Sequence, residues 1–249
     1  MSSRVPQVAA EGQARLIGQY AHPRARTTLD TSRRVIPLYF TWALIAGLLL
    51  FYSQTNAFTW DEGFHVLTAQ LIKHGKQPYL DFVFSQTPLN AYWNAGWMFL
   101  FGESWRGLHA VAALCSAATV VLAAGYVRSH FPVPEWRLPG AMAASLFVGL
   151  NVLVVRYGGV AQAYGLCLLA ITAAYRLTVA SAERERAGSV IGAGFCCGAA
   201  AASSLLTAPT GPVLLVWLLR RRHPGKRLPA LLFFPLDSLP QRLGSAPKI

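Results

Sequence analysis

The sequence predicts an all-α fold: a polytopic membrane helix bundle of about six transmembrane helices, with two interfacial helices in the first external loop. Three observations predict it. Hydrophobic residues make up 54% of the 249-residue chain and charged residues only 13%, too little charge to cover a soluble domain of this size. The apolar residues come in long blocks rather than in the short alternating runs of a sheet protein. The 22 Lys and Arg outnumber the 10 Asp and Glu, yet they stand at the ends of the apolar blocks. A net charge of +12 spread in that way fits a membrane-lipid partner and not a nucleic acid, which needs one continuous basic face.

Residues 1–34 are polar and basic and lack the apolar core of a cleavable signal peptide, so they read as a disordered cytoplasmic tail. Residues 35–222 form the membrane domain. Its first span is Val35–Tyr52, whose 18 nearly uncharged residues make about 27 Å of helix. Leu108–Val127 and Pro139–Val155 are the second and third spans, and Val160–Ala180 the fourth, with Arg176 near enough to its end to snorkel. Gly188–Leu206, rich in Gly, Ala and Ser, suits close helix packing as a fifth. The sixth, Thr207–Leu219, is short and begins with Pro209 and Pro212. It is expected either to tilt or to continue the fifth around a bend. A seventh is prefigured in "LPALLFFPL", but residues 223–249 turn polar and Pro-broken at "DSLPQRLGSAPKI". The expectation there is an irregular tail, as a longer gene cut short would produce.

Orientation follows from the connections. Arg4, Arg15, Arg24, Arg26, Arg33 and Arg34 precede the first span; Arg128, Arg137, Arg184 and Arg186 flank later connections; Arg220, Arg221, Arg222, Lys226 and Arg227 follow the sixth. The other side carries only Lys73, Lys76, Arg106 and Arg156. The N-terminus is therefore expected in the cytoplasm, the protein in the cell's inner membrane, and the loop 54–106 outside. The four cysteines (Cys115, Cys167, Cys196 and Cys197) all fall within apolar segments and read as small hydrophobes rather than disulfide partners or metal ligands.

The external loop opens on "TWDEGFH", with Asp61 and Glu62 side by side in a chain poor in acids. From Glu62 to His74, Phe64, Leu67 and Leu71 recur at helical spacing, and Gly75 is placed to stop the helix. "KQPYLDFVFSQTPLN" is turn-rich, and Asp81 within it reads as a turn residue. Leu89–Phe101 is apolar and dense in Tyr and Trp, as befits a helix at the membrane surface.

The order of these features resembles a family. A first span, then "WDEGFHVLTAQLIKHGKQPYLDFVFSQTPLNAYW", then "LFGESWRGLHAVAAL" is similar to the protein O-mannosyltransferase and lipid A aminoarabinose transferase group. "RYGGVAQAYGLCLLA" and "AAAASSLLTAPTGPVLLVWLLRRR" extend the likeness, which covers Val35 to Arg222. These are membrane glycosyltransferases of the C fold that draw on polyprenyl-phosphate sugars. The resemblance implies transfer of a sugar from such a donor to a hydroxyl of a lipid, glycan or protein acceptor on the external face. It implies Asp61 as the base that takes the acceptor's proton, with Glu62 placing the acceptor or a divalent metal. Cations near the leaving phosphate would stabilise its growing charge, and Arg106, His109 and Arg156 are the candidates. His109 stands where the family often has Arg, with Arg106 three residues earlier on the same face. The chain also departs from the family at Thr87, where many members carry Lys, and near Arg156, where a second acid is replaced by Gln162.

Other readings stand beside these. Asp61 precedes an amphipathic helix and could serve only as its N-cap. His65, four residues on, either shares a metal with Asp61 or packs on the helix; no metal ligand set is assigned. A transporter or flippase fragment would need ionisable or broken positions at mid-span, which are scarce here. A non-catalytic membrane protein would need no carboxylate pair.

Overall fold

The structure, a computed structural model, describes residues 28–56, 61–184 and 186–221. Most of the expected basic tail and all of the expected irregular tail 223–249 lie outside the described residues. The described residues are helical throughout, apart from connections in which Pro78 and Phe82 form a single bridge. Helix α1, Thr28–Thr55, begins seven residues before the span expected at Val35, so 28–34 are helical rather than part of a tail. Two units divide at Pro37, which lies inside α1 and withdraws a helical hydrogen bond there. Of the first unit only the opening of α1 is described. All the packing that follows belongs to the second, Leu38–Ile249.

The external loop contains α2, Glu62–Lys73, and α3, Leu89–Phe101. Helix α2 ends in a Schellman turn: Gly75 takes φ +84°, its N–H bonds the Ile72 carbonyl, and the Lys76 N–H bonds that of Leu71, both at 2.9 Å. Helix α4, Trp105–His130, starts from Ser104, whose hydroxyl accepts the Gly107 N–H, and runs to a basic last turn.

The third expected span is broken. Helix α5, Arg137–Gly149, stops at Leu150, and α6, Val152–Tyr157, begins afresh with the Asn151 side chain accepting the Leu153 N–H at 2.9 Å. An Asx cap competes with helix continuation, and here it prevails over the apolar pattern. Helix α7 is Ala163–Arg184 and α8 Ala187–Ser203. Extended Ser204 and a 3₁₀ turn, Leu205–Thr207, then separate α8 from α9, Thr210–Arg221, so the fifth and sixth expected segments meet at a bend.

Three of these helices are long and apolar enough to cross a bilayer: α1 over Val35–Thr55, α4 and α7. Exposed surface on α1 and on the shorter helix α8 is apolar too, with Phe40 69%, Phe51 71% and, on α8, Phe195 73% exposed. Surface of that kind is stable against lipid and not against water. The chain is membrane-embedded.

Helix α4 is central. Its Ala113, Ala117 and Val120 meet Ile45 and Leu49 of α1, and Ala124 meets Leu38 and Ala141 of α5. Helix α7 packs on both α4 and α8. Ala174, Val190, Ala193, Cys197, Leu214 and Leu218 join α7, α8 and α9. Small side chains bring these backbones close, as helices in lipid require. The approach is tightest at the link 158–162 between α6 and α7. A Cβ on Gly159 would stand 2.9 Å from that of Ser53, and just beyond the link, in the first turn of α7, one on Gly165 would stand 2.8 Å from the Ala112 carbonyl oxygen. Only glycine lets this link lie against α1 and α4. The Ser116 hydroxyl then donates to the Gly158 carbonyl at 2.7 Å.

Candidate functional site

Successive residues of a helix point about 100° apart, so two adjacent carboxylates at its start address different places. Asp61 and Glu62 do so. Asp61 occupies the N-cap position of α2 but has helical dihedrals, φ −83° and ψ −13°, and its side chain makes no cap hydrogen bond. It is exposed and lines a cavity of about 1090 Å³. Glu62 turns inward and is completely buried.

Glu62 accepts a hydrogen bond from the Ala161 N–H at 2.8 Å and is in direct contact, through the same oxygen, with His109 Nε2. His109 is also fully buried, and its Nδ1–H donates to the Ser53 carbonyl at 2.7 Å. Because Nδ1 carries a proton, the contact between Nε2 and the carboxylate holds exactly one more, whichever atom bears it. The pair is thus neutral as a whole, which is how two ionisable groups survive burial. It ties together the end of α1, the start of α2, the first turn of α4 and the link before α7. The Asn94 amide adds to the tie by donating to the Ala161 carbonyl at 2.9 Å.

His65 lies one turn beyond Asp61, is 4% exposed, and also lines the cavity. The buried Asn90 amide donates to its Nδ1 at 3.2 Å, which places the ring proton of the neutral form on Nε2. Burial lowers the pKa of His65 below its ordinary value, against the opposing pull of Asp61 and Glu62. One helical turn beyond Asp61, the same cavity wall therefore carries a neutral imidazole.

The rest of the cavity wall is built from distant segments. The loop after α2 contributes Tyr79, Gln86 and Thr87; the link before α7 contributes Gln162 and α7 itself Tyr164 and Leu168; the turn after α8 contributes Leu205 and Leu206. Tyr79 has φ +69°, unusual for a residue with a side chain, and its hydroxyl donates to the Gln86 carbonyl at 2.5 Å. That side-chain bond is joined by the Gln77 N–H to Asp81 Oδ2 at 2.7 Å, the turn role expected of Asp81, and by backbone bonds such as the Tyr79 N–H to the Phe82 carbonyl at 3.0 Å. At its base Lys73 Nζ and His74 Nε2 reach Glu103 at 3.0 and 3.2 Å, and the Lys73 bond holds the Glu103 carboxyl below the usual range.

Three expected phosphate contacts are placed elsewhere. His109 is sealed in its pair with Glu62 and has no face toward a ligand. Arg106 and Arg156 are exposed and outside the cavity lining, their guanidinium carbons 5.4 Å from the Trp105 ring and 5.9 Å from the Tyr157 ring. Among the described residues no cluster of three His, Cys, Asp or Glu is arranged to hold a metal. Asp61 thus meets His65 at the cavity, with Thr87 and Gln162 in the same wall, whereas Glu62, Arg106, His109 and Arg156 stand apart from it. The sequence reading missed Asn90 and Tyr79. Asn90 had a visible signal, being a polar residue in an otherwise apolar run; Tyr79 had none, because positive φ is rare for tyrosine.

No protein-family model, curated protein or solved structure matches this chain.

Proposed function

We propose that this chain is a membrane glycosyltransferase of the polyprenyl-phosphate-dependent kind, with Asp61 as its general base. One observation carries the reading. Asp61, Thr87 and Gln162, the positions at which the family resemblance expects a base, a phosphate-binding Lys and a second acid, line one cavity although they lie far apart in the chain. Convergence of that kind is what a site requires and what chance placement seldom gives.

The cavity suits the substrate class. Its volume of about 1090 Å³ exceeds that of most small-molecule pockets. One wall is polar (Asp61, His65, Gln86, Thr87, Gln162) and another apolar (Leu168, Ile171, Leu205, Leu206), as an amphipathic lipid-linked sugar needs. The acceptor hydroxyl loses its proton to Asp61 while its oxygen attacks the anomeric carbon. The bond from that carbon to the phosphate oxygen breaks, and the polyprenyl phosphate departs with the electron pair. His65, neutral and with its remaining N–H on Nε2, is placed to donate to the acceptor or the phosphate.

In this reading the protein crosses the inner membrane about six times, with its N-terminus in the cytoplasm. Helices α1, α4 and α7 cross alone; α5 with α6, α8 with its 3₁₀ turn, and α9 complete the set. Helices α2 and α3 lie along the external surface with Phe64, Leu67, Phe99 and Phe101 toward lipid, a placement supported by their exposure.

The test is photolabelling with a polyprenyl-phosphate sugar that carries a diazirine on its first isoprene units. Crosslinks to 163–171 and 203–207 that unlabelled polyprenyl phosphate competes away are expected. Labelling confined to other segments, or insensitive to competitor, overturns the reading.

A further inference from the structure

A second cavity, of about 400 Å³, lies between the last turns of α4, which carry Arg128, the middle of α7 and the first turns of α9. Its walls are mostly apolar, and the one charged group among its lining residues is Arg176. An ionisable side chain inside a membrane helix is costly, and function is the usual reason for keeping one. Instead of reaching for the end of α7, Arg176 lies across α4, where Nη1 donates to the Leu122 carbonyl at 2.9 Å. Gly125 makes room for it: a Cβ there would stand 2.9 Å from Nη1.

That bond uses one of the five N–H groups of the guanidinium and none of its charge. Hydrocarbon offers the others nothing, so the cavity is complementary to an anion with several acceptor oxygens. A phenol stands beside it. Tyr175 Oη–H donates to Tyr126 Oη at 3.0 Å, which leaves the Tyr126 proton to donate onward. Both tyrosines line the cavity. Arg176 lies about 10 Å along α7 from Glu183, which pairs with His130 at 2.8 Å where the helices become polar. A lipid headgroup drawn between the helices reaches that depth, and the aliphatic walls accept the upper part of its chains. A fully soluble anion would gain nothing from those walls.

We infer that this cavity is a binding site for the phosphodiester headgroup of an anionic phospholipid, held by Arg176 and Tyr126. The inference does not depend on the proposed transferase activity, and no residue of the first cavity takes part in it.

Native mass spectrometry of the full chain in detergent tests it, with phosphatidylglycerol, phosphatidylcholine and inorganic phosphate as probes. The wild-type chain should retain phosphatidylglycerol over phosphatidylcholine by at least about fivefold, roughly the worth of one cation at an anionic lipid surface. Arg176→Gln should abolish that preference. Ala123→Phe, which fills the cavity from α4 and leaves the charge in place, should do the same and covers the case in which the first variant fails to fold. Equal retention of the two lipids by wild type, or an unchanged preference in a folded variant, overturns the site. So does retention of inorganic phosphate as strong as that of phosphatidylglycerol, because that would make the ligand a soluble anion.

Discussion

Replacing Glu62 by Ala leaves His109 buried with Nε2 unpartnered by a carboxylate and the Ala161 N–H without its acceptor. Breaking a buried pair from one side costs about 3–5 kcal/mol, so Glu62→Ala should lower the unfolding temperature sharply and reduce yield in the membrane. The double variant Glu62→Ala/His109→Ala should lose less than the sum of the two single losses, by about 1–3 kcal/mol, since the second change removes a group already stranded. Additive losses would mean that the two do not share a proton. His65 gives a pH signature. Its folded pKa is depressed, so the folded state binds fewer protons than the unfolded chain; its contribution is fully present above the ordinary value of 6.5 and is lost as pH falls through the depressed value. Thermal unfolding followed from pH 7.5 down to 5 should show stability falling, and His65→Gln should flatten that part of the profile. At this scale the sequence marked Asp61 and Glu62 as unusual but could not divide their roles. Adjacency in the chain suggested a shared site, and helical geometry sends the two side chains apart. His109 read as a cation for the donor phosphate for a related reason: its partner lies 47 positions away, beyond any local pattern.

The link 158–162 should be intolerant of side chains. Gly159→Ala forces a Cβ against Ser53 and should cost about 1–3 kcal/mol, as overpacking does. Gly198→Ala in α8 meets nothing within 4 Å and should be neutral or stabilising by about 0.5–1 kcal/mol. Thermal unfolding of the two variants side by side checks the contrast; equal effects would contradict the packing described. Helices α1, α4, α7 and the pair α2 and α3 were legible because their apolar runs or amphipathic spacing last for several turns. The break at Asn151 was not. A single Asx residue within the run "SLFVGLNVLVV" outweighs hydrophobic continuity by capping α6, a local bond that a hydropathy window averages away. The bend after Ser203 was partly legible, because Pro209 and Pro212 announce that the helix cannot continue unchanged.

For the whole molecule, the basic residues predict a direction that labelling can test. In a variant with its four cysteines replaced, Gln77→Cys, on the exposed loop after α2, should react with an impermeant maleimide in intact cells. Ala187→Cys, exposed at the start of α8, should react only after the membrane is opened. The opposite pattern would put the first cavity on the cytoplasmic face. The helical class and the membrane location were readable from the composition together with the length of the apolar blocks. The cavity was not, since its walls come from α2, the loop after it, α6, α7 and the turn after α8, and only folding brings those segments together.

The most direct measurement is sugar transfer in membrane vesicles from a panel of labelled polyprenyl-phosphate sugars, with Asp61→Asn against wild type. Asn has the same shape and size and can hydrogen-bond, but it cannot take a proton. If Asp61 is the general base, the rate with the best donor should fall by about 10²–10⁴-fold at unchanged protein level. Transfer by Asp61→Asn at the wild-type rate would contradict the account.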